Sequence, residues 1–202
     1  MPKSQSARLR ATRNKLLGAT FSEVFHRGFQ GASLNDIAAV AGSTKGALFH
    51  HFESKQALGY AMTDEVLAPI LYQRWLAPLI ASDDPITTLQ QLFRRHIDDD
   101  TTSGNLVYGC PMNNLAQEMS PLDSGFSTRL GSMYASWRET VAAALERGQH
   151  AGRVGDDVDV RASAMLIVLA QAGIWGTGKY SRDPQLMADA GEALCAYLDT
   201  LR

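Results

Sequence analysis

Residues 43–58 read STKGALFHHFESKQAL, and Thr44, Lys45, His50, His51 and Lys55 among them are side chains able to hold an anion. Three chemistries suit such a set: a metal site on the paired histidines, an acid–base device, or a row of donors aimed at phosphate. Neighbours on a helix point about 100° apart, so His50 and His51 cannot readily chelate one ion together. Phosphate fits better. A helix capped by Thr44 offers free backbone amides at its start, and Gly46 lets another surface come close to the backbone. Leu48 and Phe52, four apart, face inward and leave Lys45, His50 and Phe49 outward. Lys55 follows Ser54 at the next helix start, placed for a second phosphate. His51 falls at the rim of the core. Either imidazole would make binding mildly pH-sensitive, since the free group titrates near about 6.5.

The elements that must carry these residues are helical throughout. Apolar residues recur three or four apart, and sustained strand-like alternation is absent. Leu17, Phe21, Val24 and Phe25 make one face of a first helix over about 8–27, ended by Gly28. Ser33 and Asp36 form a capping pair for a short helix that stops at Gly42. Two short helices joined by a glycine-containing turn are the makings of a helix-turn-helix. A longer helix from Ser54 is expected to kink at Pro69 and again at Pro78. Further helices are expected over 85–98, from Pro111, over 124–150, over 158–178 and over 183–201, about nine in all. The run DDDTTSGN after residue 97 reads as a solvated loop; Asp98, Asp99 and Asp100 lack the alternating ligands of a calcium loop.

Charge divides the chain. Residues 1–60 hold eight basic groups (Lys3, Arg8, Arg10, Arg13, Lys15, Arg27, Lys45 and Lys55) against three acidic ones, while the remainder holds eleven against eighteen. A basic end on an acidic body implies that only the N-terminal part meets a polyanion. Two cysteines, Cys110 and Cys195, cannot build a disulfide framework, and no signal-like segment opens the chain, so a reducing cytoplasm is expected. ASAMLIVLAQAGIWG falls short of the roughly 20 residues of a membrane span and contains Gln171. It reads as a buried helix, and no membrane partner is expected.

The stretch GFQGASLNDIAAVAGSTKGALFHHFESKQAL, Gly28 to Leu58, resembles the DNA-binding domain of the TetR family of bacterial transcriptional repressors. Gly28-Phe29, Ile37-Ala38, Ala41-Gly42, Thr44-Lys45-Gly46, Leu48, Phe52 and Lys55 carry the resemblance. Two positions depart from it. Ser43 stands where many relatives have valine, and Phe49 where many have tyrosine, so a phenol contact to phosphate is lost. The resemblance implies an all-α homodimer: a three-helix DNA-binding domain over 1–53 and a larger helical effector-binding and dimerisation domain over 54–202. It further implies a palindromic double-stranded DNA operator and release by a small molecule, with no cofactor and no catalysis. Ser33, Ser43, Thr44, Lys45, Gly46, Phe49, His50 and Lys55 are the expected DNA-contacting set, with Thr44 to Gly46 in the groove and His50 and Lys55 on phosphates.

In the C-terminal part, Trp75, Phe93, Tyr108, Cys110, Met112, Asn113, Gln117, Met133, Trp137 and Trp175 are candidates to line an effector pocket, with Asn114 and Glu118 as further polar groups able to orient a ligand. Ala170, Ala172, Gly173 and Gly176 permit close helix approach, so the dimer is expected through the helices near 158–178 and 183–201. Cys195 is read as packing at that interface. Cys110, just before a helix start, is either a pocket-lining residue or a reactive thiol that makes the protein a sensor of electrophiles or oxidants. Readings from other classes are a helical enzyme and a DNA-binding protein that responds to no ligand. No nucleophile motif, phosphate-cradling loop or metal-ligand spacing supports the enzyme.

Overall fold

The computed structural model describes the backbone from Pro2 to Arg202 and the side chains from Ala7 onward, so the Lys3 side chain counted above lies outside the described residues. Helices α1 (Pro2–Gly31), α2 (Leu34–Val40) and α3 (Lys45–His51) come first. α4 is one helical run through Lys55–Met62, Ala68–Leu71 and Ala77–Ile80, joined by π-helical turns at Thr63–Leu67 and Tyr72–Leu76. α5 (Pro85–Thr102), a 3-10 turn at Asn105–Tyr108, α6 (Pro111–Met119), α7 (Ser124–His150), α8 (Val160–Ser181) and α9 (Pro184–Asp199) follow, with no strand among the described residues. The fold is all-α, as the spacing predicts.

Local chemistry sets most boundaries. Hydroxyls cap three successive helices: Ser33 accepts from the Asp36 amide at 3.0 Å, Thr44 from Ala47 at 3.1 Å and Ser54 from Ala57 at 3.0 Å. Each cap contributes about 1 kcal/mol to its helix. The α2–α3 turn closes on Gly42 at φ 59°, with the Ser43 amide bonded to the Ala38 carbonyl at 2.8 Å and the Gly42 amide to Ala39 at 3.0 Å. This is the left-handed glycine stop that the sequence pattern announces. The two π turns each lie just ahead of a proline, Pro69 and Pro78, neither of which has an amide to give the carbonyl four residues back. The expected kinks therefore take the form of widened turns within a continuous helix.

Two elements run further than the sequence suggests. α1 continues past Gly28, which breaks the helical geometry at φ 77° and ψ 164°, and resumes as far as Gly31. α5 extends through the three aspartates to Thr102, so this run is helix rather than loop. The reason is tertiary: the Trp175 indole N–H donates to Asp100 at 2.6 Å, and Arg74 lies 3.5 Å from the same carboxylate.

The chain divides into two compact units, one of residues 1–70 and 111–130, the other of 71–110 and 131–202. The sequence reading put its division at 53/54. In the first unit the N-terminal half of α4, α6 and the start of α7 pack with the helix-turn-helix, through Leu16, Phe29, Leu48, Leu58, Leu115 and Phe126. In the second, Trp75, Phe93, Trp137, Ile167, Trp175 and Leu198 are buried. Cys195 belongs to that interior and not to an interface: it is 1% exposed, and its carbonyl accepts from Gln90 of α5 at 3.0 Å. Burial pushes its thiol pKa up.

Candidate functional site

The start of α3 is open to solvent. Thr44, Lys45, Gly46, Phe49 and His50 are exposed, Ser33 is exposed, and Ser43 is half-buried, while Leu48 and Phe52 fill the core beneath. A Cβ placed on Gly46 would meet nothing closer than the Thr44 hydroxyl at 3.9 Å, so the backbone there is approachable from outside. The Thr44 oxygen already accepts from Ala47, which leaves its O–H to donate outward. His51 differs from His50. Burial, together with the charges of His50 and Arg13, lowers its pKa, so it is held neutral.

Lys55 sits in a more constrained place than a free phosphate ligand. Its ammonium donates to the Gln30 carbonyl at 3.2 Å and stands 5.0 Å over the Phe29 ring. Burial lowers its pKa, partly countered by the Glu118 carboxylate. Glu118 caps the broken end of α1, accepting from the Phe29 and Gln30 amides at 2.8 Å each. Arg13 is also engaged, in a two-point pair with Glu65 on α4 and 5.1 Å above the Phe52 ring. Farther round, Asp123 accepts from the Tyr60 hydroxyl at 2.6 Å, the Gln56 amide at 2.7 Å and the Phe126 backbone at 3.0 Å, and these bonds lower its pKa. α1 is thus held by α6 through Glu118 and by α4 through Lys55 and Glu65.

In the second unit Trp75 is the hub of an aromatic cluster. Its ring lies 5.0 Å from Phe93, 4.7 Å from His96, 5.2 Å from Trp137 and 5.8 Å from Trp175. Four of the expected pocket residues therefore meet. Met133 and Cys110 are buried and Tyr108 is half-buried in the same unit. Tyr134 is raised in pKa by burial and by the Cys110 thiol nearby. Met112, Asn113 and Gln117 belong to the first unit, where Gln117 is exposed and donates to Asn113 at 3.3 Å.

The sequence reading missed His96 and gave Gln171 no role. Both are buried, and the His96 Nδ1, the Gln171 side-chain oxygen and the Trp137 indole N–H have no protein partner. An unmade hydrogen bond at such a site costs about 1–3 kcal/mol. The available signal was small: Gln171 is a polar residue inside a strongly apolar helical run, while His96, between Arg95 and Ile97 in a polar run, gave none.

α8 has two apolar faces. Ala164, Ile167, Val168, Ile174 and Trp175 turn inward, while Met165, Leu166 and Leu169 are 44%, 48% and 60% exposed. Gly173 and Gly176 have open space where a side chain would stand. By length and composition this 22-residue helix could cross a membrane; in the fold its inner face forms part of a protein core.

Comparison with known proteins accounts for this arrangement. Residues 16–62 match the description "Bacterial regulatory proteins, tetR family", and residues 85–194 match "Tetracyclin repressor-like, C-terminal domain". The chain belongs to the TetR family and is a helix-turn-helix, DNA-binding transcriptional regulator. It is 31% identical over 140 residues to the HTH-type transcriptional repressor DhaR of Mycobacterium sp. (strain GP1), covering 68% of this chain and 67% of that one. It is also 31% identical over 139 residues to an uncharacterised HTH-type regulator of Lactococcus lactis subsp. lactis, covering 68% and 69%. A solved TetR regulator from Chloroflexus aurantiacus J-10-FL superposes with a TM-score of 0.82 at 25% identity, covering 98% and 97% of the two chains.

Proposed function

We propose that this protein is a dimeric repressor that holds a palindromic operator through α3 and lets go when a small molecule occupies the second unit. The exposed start of α3, with Thr44, Lys45 and Gly46 clear of other groups, is the observation that carries the reading. Lys45 and His50 meet DNA directly, and Lys55, bonded through one of its three donors to the Gln30 carbonyl, has two left for a phosphate. The outward apolar face of α8 supports dimerisation: Met165, Leu166 and Leu169 would otherwise stay in water, and the glycines let a second helix approach closely. Effector control requires a ligand that prefers the dimer geometry unsuited to the operator. Such a protein works in the cytoplasm, where the DNA is.

The test is fluorescence anisotropy with the promoter fragment upstream of the chain's own gene across a salt series. Lys45→Ala should weaken binding and reduce the salt slope by about one. Unchanged affinity and slope would remove Lys45 from the interface.

A second reading makes Cys110 a thiol switch. Cys110 directly precedes α6, and the side chain of Lys179 packs against Gly109, 3.1–3.2 Å from where a Cβ would stand, bringing a lysine beside this segment. At 9% exposed, the thiol is open only to small reagents.

A further inference from the structure

All three tryptophans of the chain, Trp75, Trp137 and Trp175, stand in one cluster, and the polar groups around it are unevenly used. The Trp175 indole N–H is taken by Asp100. The Trp137 indole N–H, in a residue 1% exposed, has no protein acceptor. Gln171 lies one helical turn before Trp175 on α8, 3% exposed, and its side-chain oxygen has no donor. His96, 4% exposed, lies 3.0 Å through Nε2 from the Arg74 carbonyl, which can only accept. Nε2 therefore carries the proton, and in the neutral ring Nδ1 is a lone pair. Asp99, 3.9 Å from Nδ1, is too far to hydrogen-bond. Burial keeps this imidazole neutral, as its lowered pKa reflects.

Beside the Trp75 ring there are thus one unfilled donor, Trp137, and one unfilled acceptor, His96, with a second unfilled acceptor, Gln171, one helical turn before Trp175. We propose that this cluster binds a neutral, planar aromatic molecule bearing a hydroxyl. A hydroxyl can accept from the Trp137 N–H while donating to Gln171 or His96, and its ring adds to the aromatic stack. A carboxylate would face the Gln171 oxygen and the His96 lone pair, and the Arg74 guanidinium near His96 is already paired with Asp100 at 3.5 Å. An ammonium would leave the Trp137 N–H without an acceptor. Trp75 rides on the π turn Tyr72–Leu76, a distortion of the kind that recurs at functional sites. The inference rests on the reading of the second unit as effector-binding, and names the chemical class of what enters it.

Because no other tryptophan exists in the chain, intrinsic tryptophan fluorescence reports this cluster alone. The dimeric protein is titrated with 4-ethylphenol, ethylbenzene, 4-ethylbenzoate and 4-ethylbenzylammonium, with calorimetry as a second readout. 4-Ethylphenol should bind saturably and at least about tenfold more tightly than ethylbenzene, a ratio set by the hydroxyl's hydrogen bonds. Trp137→Phe and the volume-keeping Gln171→Met should each erase most of that ratio while leaving the weak binding of ethylbenzene and the thermal melt largely as in the parent. Equal binding of 4-ethylphenol and ethylbenzene, preference for either charged probe, or no binding at all overturns the assignment, the last leaving the unpartnered atoms to water. Promoter binding is measured on the same samples with and without each probe: saturable phenol binding that leaves the promoter complex unchanged overturns the effector reading while keeping the ligand class, whereas release by another probe with no phenol preference overturns the ligand class alone.

Discussion

Glu118 holds the broken end of α1: its carboxylate receives the Phe29 and Gln30 amides at 2.8 Å each, directly after Gly28 leaves helical geometry at φ 77°. These amides lose their helical acceptors at the break, and a carboxylate from α6 supplies the replacement. The two residues are 89 positions apart, yet the bond decides where Phe29, a core residue of the first unit, enters.

Glu118→Ala should therefore cost about 1.5–3 kcal/mol, the range for hydrogen bonds to a charged group, with the lower end favoured because the Gln30 side of the pair is exposed. Urea denaturation checks it. Gly28→Ala should be comparably harmful, since a left-handed backbone costs an alanine about 1–2 kcal/mol, and a Cβ there would stand within 2.9–3.2 Å of the Glu118 carboxylate. A neutral result for both variants would mean that α1 is positioned without this cap.

The buried His96 sets a pH dependence. Its folded pKa is lowered by burial from an unfolded value near about 6.5. The unfolded chain thus binds the proton more tightly, so this contribution to stability is whole above about pH 6.5 and is lost as the pH falls toward the folded value, by up to about 1.4 kcal/mol per pH unit. His96→Gln keeps an N–H for the Arg74 carbonyl and should flatten the slope of stability against pH below 6.5. His51 is shifted in the same direction and adds to the slope, as do the lowered carboxyl groups of Glu65, Asp84, Asp123 and Glu192 at more acid pH.

Dimerisation through α8 predicts that Leu169→Glu, at a position 60% exposed in the protomer, changes the mass in light scattering rather than the fold. A monomer with an unaltered circular dichroism spectrum and weakened promoter binding is the expected result. A variant that remains dimeric would move the interface elsewhere.

Cys110→Ser should keep promoter affinity, being the smallest change available at a buried site. N-ethylmaleimide then decides the role of the thiol. Release lost in Cys110→Ser but kept in Cys195→Ser assigns the sensor to Cys110, whereas equal response in both leaves Cys110 as packing. Cys195, 1% exposed and raised in pKa by burial, is the inert control.

Local pattern by itself determined that the chain is helical, where most helices start and stop, and that Thr44 caps a short helix beginning at Lys45. Caps, glycine stops and apolar periodicity act over a few residues, so Ser33, Thr44, Ser54 and Gly42 could be read directly. Tertiary structure alone decided how the remaining polar residues are spent. Asp100 serves Trp175 instead of lying in a loop, Glu118 caps the broken end of α1, and Lys55 is tied to Gln30. His96 answers the Arg74 carbonyl, which Pro78 cannot. Such pairings depend on which backbone group has lost its partner after distant helices pack, and sequence spacing carries no record of it.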